Sequence, residues 1–339
     1  MYNAASTIDT CLRSLARQRG CDWECVIVDD GSTDESALLV KAIAARDSRI
    51  RLIPSEHAGL VETLNLGLRE CRAGVVARMD ADDIMHRDRL ATQLAVLKSH
   101  LDLAAVGCHV RIFPKPTADI AIKRALPGET NRVRTGRGGY AQWLNSFSTP
   151  EGVSNNAYVE CPVAHPTLVI RREALETYRY RDMGWAEDYD LILRMLGAGE
   201  SLGVVPRRLL SWRDHARRLS RTHPDYGLER FVACKAHHLA RTLLKGRKDY
   251  VLWGYGGTGR AMAKALAKLD LAPSHIVELH PRRIGETIRG AKVIHPDDLS
   301  KIERTPLIAS VAGAGPRGEI RKALALLDYQ EGRDFVCAA

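Results

Sequence analysis

The stretch RMDADDIMHRDRL, residues 78–90, sets three carboxylates, Asp80, Asp82 and Asp83, just behind the apolar run GVVA. Like charges that close repel, and each resists being taken out of water. Placement at the end of a strand gives them a use, because α/β sheets bind ligands beyond the carboxyl ends of their strands. A second acidic pair, Asp29-Asp30 in ECVIVDDGS, ends another β-branched run and feeds a loop. Both clusters are therefore expected to line one crevice.

The flanking pattern supports that geometry. IDTCLRSLARQ, ESALLVKAIAARD, LVETLNLGLRECR and RDRLATQLAVLKSH carry apolar residues at helical spacing. ECVIVDD, IRLIPS and GVVARMD read as strands between them. Repeated strand–helix units predict a three-layer, mainly parallel α/β sheet. Residues 111–165 are rich in Gly, Asn and Pro, and GRGGYAQWLNSFSTPEGVSNNAY reads as long loops of a lid or binding segment. A helix, AEDYDLILRMLGAG, and a strand, LGVVP, follow. DYVLWGYGGTGRAMAKALAKLDL then opens a fresh strand–turn–helix unit, so a domain boundary is expected within residues 222–248.

Bulk composition narrows the class. The 339 residues, 45% hydrophobic, suffice for two domains. No run of about 18 apolar residues occurs, so no bilayer-spanning helix is expected. MYNAASTIDTC has neither a basic n-region nor an apolar h-region, which argues against a signal peptide. The 8 cysteines form no CxxC pair and no zinc spacing, and are expected as reduced thiols of a cytoplasmic protein. The net charge of +9 favours anionic partners. Residues 207–248 hold 12 Lys/Arg against Asp214, Asp225 and Glu229. That stretch is either a solvated face on a linking helix or a peripheral contact with the inner face of a membrane. It lacks interleaved aromatics, so no nucleic acid is expected as partner.

An Asp-x-Asp at a strand end suits a hard divalent cation, Mn²⁺ or Mg²⁺. The competing reading is a polar turn that caps the next helix through Asp83 or Asp88. The company of the motif bears on the choice. In order come YN (2–3), VDDGSTDES (28–36), GLVETLNLGL (59–68), ARMDADD (77–83), RL..Q (89–93), HPTLVIRR (165–172), AEDYDLILR (186–194) and LLSWRDHARRLS (209–220). This series resembles the family-2 glycosyltransferases of GT-A fold, over residues 1–222.

The resemblance implies a nucleotide-diphospho-sugar transferase fold and a nucleotide-sugar donor, UDP-type favoured. Asp29 and Asp30 match aspartates that contact the base, and Tyr2 and Asn3 the first binding loop. Asp82 matches the metal-holding aspartate, with Asp80 beside it near ribose and diphosphate. Asp188 matches the expected general base, preceded by Glu187. Arg213 and His215 match a segment that closes over the diphosphate. Inverting transfer to a glycan or lipid-linked hydroxyl in cell-envelope polysaccharide synthesis follows as the implied activity. A direct substrate contact by His165 is the less favoured reading; a structural role is preferred. Acceptor specificity is expected from residues 111–160.

The sequence departs from the family pattern twice. An apolar strand normally precedes the YN segment, whereas here the chain opens at Met1-Tyr2. A late start, a fragment and an impaired protein all stay open, and unpaired backbone is expected beside the base pocket. Leu64 stands where many relatives carry an arginine, so another basic residue, Arg78, is expected to compensate.

Past residue 248, GYGGTG satisfies GxGxxG with Gly254, Gly256 and Gly259, after a strand and before a helix. Glu278 ends the next strand, HIVEL, about 20 residues on. The unit resembles the small Rossmann-like N-terminal domain of sugar O-acyltransferases. The expected organisation is a GT-A domain over 1–222, a basic linker helix over 223–247, and a Rossmann-like nucleotide-binding or structural domain over 248–339. The alternatives to glycosyl transfer are an NAD(P)-binding oxidoreductase-like protein, or a non-catalytic nucleotide sensor, centred on this last unit.

Overall fold

The β-branched run Cys25–Asp30 forms β1, which lies parallel to β2, Ile50–Ser55. Helices α1 (Ile8–Ala16), α2 (Ser36–Ala44) and α3 (Leu60–Glu70) flank the pair. The computed structural model describes residues 1–113, 138–216 and 218–339. α1 packs Ile8, Leu12 and Leu15 into a core with Ile27 and Val40, as the i, i+4, i+7 spacing of those three residues requires.

A second sheet carries the acidic loop. Its strands are β3 (Val75–Ala77), β4 (Ile84–Met85), β5 (Leu103–Phe113), β6 (Val169–Arg171) and β7 (Ser201–Arg213), in the order β3-β6-β5-β7-β4. β5 and β7 are parallel, while β6 runs against both β3 and β5, and β4 against β7. β3, β5 and β7 thus share one direction, and the α/β fold class read from the sequence holds. β7 is far longer than LGVVP predicted; its pairing with β5, which shifts register around His109, carries Trp212 and Arg213 to the acidic loop. Helices α4 (Arg89–Ser99), α7 (Arg172–Tyr178) and α8 (Glu187–Gly197) complete this half.

β1 and β3 do not pair with each other. Among the described residues β3 pairs in its sheet with β6 alone and β1 with β2 alone, and the Met1 main chain bonds to Val28 O and Asp30 N of β1. Both edges line one cavity of about 2220 Å³.

Residues 138–155 correct the sequence reading. They hold two short helices, α5 (Gly138–Leu144) and α6 (Pro150–Asn155), where loops were expected. Trp143 meets Phe147 edge-on at 4.7 Å, and Leu144 and Phe147 are buried. Thr149 Oγ1 accepts the Gly152 N–H at 3.1 Å with Pro150 at the first helical position. The polar and small residues between these anchors hid the helical spacing. Residues 114–137 of the expected specificity region lie outside the described residues.

After a four-residue helix, α9 (Leu219–Thr222), helix α10 (Leu228–Arg241) leads to a third sheet. Its strands are β8 (Asp249–Trp253), β9 (Ala272–Val277), β10 (Thr287–Ile288), β11 (Ala291–Ile294), β12 (Leu307–Ala309) and β13 (Phe335–Cys337). The order is β10-β11-β9-β8-β12-β13, parallel except for β10. Helix α11 (Gly257–Ala267) follows β8, and α12 (Ala314–Ala325) follows β12. Gly254 adopts φ +92°, a region that favours glycine. A Cβ on Gly259 would fall inside the Gly254 carbonyl, whereas one on Gly256 would meet nothing within 4 Å.

Gly259→Ala is therefore expected to lower stability by about 3 kcal/mol, the upper range for forcing an extra carbon into a packed site. Gly256→Ala should stay within about 1 kcal/mol of wild type. Urea unfolding midpoints of the full chain distinguish the two.

Candidate active site

The acidic loop is held on all sides by cations and amides. Asp80 pairs with Arg78, whose side chain is 12% exposed. Asp82 Oδ2 stands 3.0 Å from His215 Nε2, and the Asp82 carbonyl accepts Arg213 Nε at 2.7 Å. Asp83 Oδ1 accepts the Arg213 backbone N–H at 2.7 Å, while its Oδ2 is buried without a donor. One oxygen from each aspartate lies within 4.8 Å of the others. Burial, then the charges of Asp80 and Asp82, push the Asp83 carboxyl up to about 8. Asp80 moves the other way: burial opposes its charge, but the Arg78 guanidinium outweighs it and holds the carboxyl low. The cap reading fails here, since neither Asp83 nor Asp88 makes a side-chain cap bond to α4.

The RL..Q residues brace this loop from beneath. Arg89 donates Nε to Gln93 Oε1 at 2.9 Å and Nη2 to the Arg78 carbonyl at 3.0 Å. Gln93 Nε2 donates to Val106 O and Thr167 O, both at 2.8 Å. Both side chains are fully buried. Leu64 packs among apolar side chains, and Asn65 staples Tyr180 by donating to its carbonyl at 3.0 Å and accepting its N–H at 3.1 Å.

At the other edge, Asp30 lines the cavity, accepts the Ala58 N–H at 2.8 Å and sits 3.0 Å from His57 Nδ1. Tyr2 stacks on the His57 ring at 4.6 Å. Asn3, at φ +47°, accepts the Thr33 N–H at 2.9 Å. Asp29 is buried, and its Oδ1 accepts the Ser32 N–H at 3.3 Å. Sequence reasoning missed His57; the only signal available was its nearness to the Gly59 turn.

The third acidic group opens α8. Glu187 is buried, and its Oε2 accepts the Tyr226 hydroxyl at 2.6 Å. Asp188 is half-buried and lines the same cavity as Asp30, Asp80 and Asp82. Burial, then the Glu187 charge, pushes Asp188 up to about 7. An exposed helix start would not do this. His165 Nε2 bonds the Tyr180 hydroxyl at 2.8 Å, and burial and Arg78 keep the imidazole neutral. Its Nδ1 stands 3.6 Å from Glu187 Oε1, too far for a hydrogen bond. The arrangement can hold a hard cation on one wall and accept a proton near neutral pH on the other.

Among the described residues a second grouping, Asp190, Cys234 and His238, has ligand-type atoms close together. Asp190 already accepts from Arg194, Trp185 and His238 at 2.7, 3.1 and 3.0 Å. Against the cost of burial, these bonds hold it down to about 2, as in a structural ion pair. Gly254, Gly256 and Gly259 lie apart from the cavity, at the turn into α11. Glu278, expected to end its strand, lies one residue past β9 and pairs with Arg283 at 3.3 Å.

The three-layer architecture and this acidic cavity are those of a sugar-transferring enzyme, and the sequence comparisons agree. The chain belongs to glycosyl transferase family 2, whose model matches residues 1–179. The amylovoran biosynthesis glycosyltransferase AmsE of Erwinia amylovora is 30% identical over 220 residues, covering 63% of this chain and 73% of that protein. The putative glycosyltransferase EpsE of Bacillus subtilis is 25% identical over 291 residues, 84% of this chain and 92% of that one. The crystal structure of S. aureus TarS 1–349 in complex with UDP-GlcNAc shares the fold, with TM-score 0.51 and 15% identity over 78% of this chain and 69% of TarS.

Gln93→Ala leaves two buried carbonyls and the Arg89 guanidinium short of partners. It is expected to lower the unfolding free energy by about 3 kcal/mol, read from urea denaturation.

Proposed function

We propose that the enzyme moves a sugar, with inversion, from a UDP-type nucleotide sugar to a hydroxyl of a glycan or lipid-linked acceptor, and that it needs Mn²⁺ or Mg²⁺. The observation that carries this reading is one cavity lined by Asp80, Asp82 and Asp188, the last poised at about 7. The residues present fit a hard cation: three carboxylates converge, and Asp83 keeps a buried oxygen without a donor. Asp82, with Asp80, would hold the ion, which when bound lends positive charge to the departing diphosphate. Arg213 and His215, fixed on Asp82, close the same wall.

Asp188 is the general base in this reading. Attack by the acceptor hydroxyl requires its proton to go to a carboxylate within reach, and direct displacement by that oxygen inverts the anomeric centre. Tyr2 and Asp30, with Asn3 and Asp29 shaping the turn, provide the base pocket, and Arg78 supplies the charge that Leu64 cannot. A role in envelope polysaccharide synthesis is supported by the name of AmsE, and a UDP donor by the ligand of TarS. Exposed Arg207, Arg208, Arg230, Arg241 and Arg247 favour an anionic, lipid-linked acceptor at a membrane face. Among the described residues, no helix is long and apolar enough to cross a membrane.

In the same reading, residues 248–339 form a Rossmann-like unit. The open space over Gly256 favours nucleotide binding there, at Gly254, Gly256 and Gly259. The Glu278–Arg283 pair competes for the ribose contact an NAD(P)-dependent enzyme would need.

Released nucleotide, assayed over a panel of nucleotide sugars with Mn²⁺ or Mg²⁺, is expected with UDP-sugars. Asp82→Ala should lower it by about 10²-fold or more, and Asp188→Asn by about 10²–10⁴-fold. Because the base must be ionised, the rate should climb from pH 6 to pH 8 and fall away as Asp188 protonates below about 7. Metal-independent turnover, or none with any donor, overturns the proposal.

A further inference from the structure

Tyr226 stands on the short turn Pro224–Tyr226, outside every motif that the sequence singled out. It is nevertheless the hydrogen-bond donor to Glu187, at 2.6 Å. The next residues begin α10, which joins two parts of the molecule. On one side Phe231 stacks on Tyr189 of α8 at 4.3 Å, and His238 bonds Asp190 at 3.0 Å. On the other side Val232, Ala236 and Leu239 pack with Met262, Ala263 and Leu266 of α11. Buried Lys235 donates to the carbonyls of Val159 and Ala338 at 2.8 and 3.1 Å. From α12, Arg321 reaches Asn155 O at 3.1 Å. The helix bearing Glu187 and Asp188 is thus gripped through α10 by the C-terminal sheet.

Resting on the proposed role of Asp188 as base, we infer that Tyr226 is a positioning residue for glycosyl transfer: its hydroxyl, 2.6 Å from Glu187 Oε2, holds that carboxyl in place beside Asp188, and so sets the orientation and charge environment of Asp188. Glu187 is buried, and burial alone drives its carboxyl toward the neutral form; the Tyr226 hydrogen bond is the largest influence opposing that. The hydroxyl itself stays protonated, since burial and the two carboxylates raise it. The net direction for Glu187 is still upward, and what charge it carries adds to burial in raising Asp188. The groups facing this pair are Arg78 and Asp80 from the acidic loop, His165 and Cys161 from the segment before β6, Tyr180 after α7, and Tyr226. Of these, the Tyr226 hydroxyl makes the hydrogen bond to the Glu187 carboxylate. The two acids titrate as a pair, so a lost bond at one is read at the other.

The test is Tyr226→Phe in the full chain, followed by UDP release from UDP-glucose and UDP-N-acetylglucosamine with Mn²⁺ across pH 5–9. With Glu187 more readily protonated, Asp188 loses a negative neighbour. The low-pH limb should therefore move down by about one unit, kcat at pH 8 should fall about tenfold, and donor KM should hold. In a Glu187→Gln background the same substitution should move the limb no further. ¹³C titration of the Asp and Glu carboxyls in these variants reads the shift without turnover, so it decides the inference even if the transfer reading fails. A rate loss with an unmoved limb, or a shift that persists beside Glu187→Gln, overturns it.

Discussion

Everything at this site follows from the difficulty of keeping several carboxylates close together away from bulk water. Desolvation alone would protonate them, and mutual repulsion adds to that tendency. The chain answers with fixed donors rather than with solvent. Arg78 lies half-buried against Asp80, Arg213 gives both a backbone N–H and a guanidinium to the loop, and His215 faces Asp82. The answer is incomplete at one atom, Asp83 Oδ2. Asp80 and Asp82, not Asp83, line the cavity, so the charge open to a ligand is theirs, while burial and its neighbours raise the Asp83 carboxyl beneath them.

The donors are themselves anchored, which is why the sheet matters. Arg213 arrives because β7 runs beside β5 from Ser201 to Arg213, through the register shifts around His109. Arg78 is set by the main chain just past β3, with its carbonyl tied by Arg89, and Arg89 is held by Gln93. Removing any member loosens the charges above it, because buried polar networks stabilise only when complete. The opposite wall follows the same rule: Tyr226 and Asn65, neither of them charged, fix Glu187 and Tyr180 by hydrogen bonds.

Much of this was legible in the sequence, and the reason is local. Asp80, Asp82, Asp30 and Asp188 stand at or near element ends, where period and turn residues mark position, and these four line one cavity, whereas Asp83 lies buried behind it. Element bounds were less exact: GVVARMD yields a strand of three residues, and β7 extends well past LGVVP. The two helices in 138–155 were read as loops because Gly138, Gly139, Asn145, Ser146 and Pro150 punctuate the stretch, although Tyr140, Trp143 and Phe147 stand at i, i+3 and i+7. Tyr226, His57 and Asn65 were missed for a different reason. Their partners lie 39, 27 and 115 residues away, and no short-range pattern encodes a contact of that separation.

The division of labour between the halves follows from the same non-local contacts. Had residues 223–247 been a free basic linker, α10 would present its cations outward and bury little. Instead Lys235 is buried and its ammonium is shared between carbonyls of the two halves, Val159 and Ala338. Burial pulls its pKa down to about 8, a cost that a mere tether has no cause to bear. A lysine kept there in spite of desolvation ties the segment just ahead of Cys161 to the last strand. The wall of the catalytic cavity and the C-terminal sheet therefore cannot shift independently without breaking a buried, charged hydrogen bond.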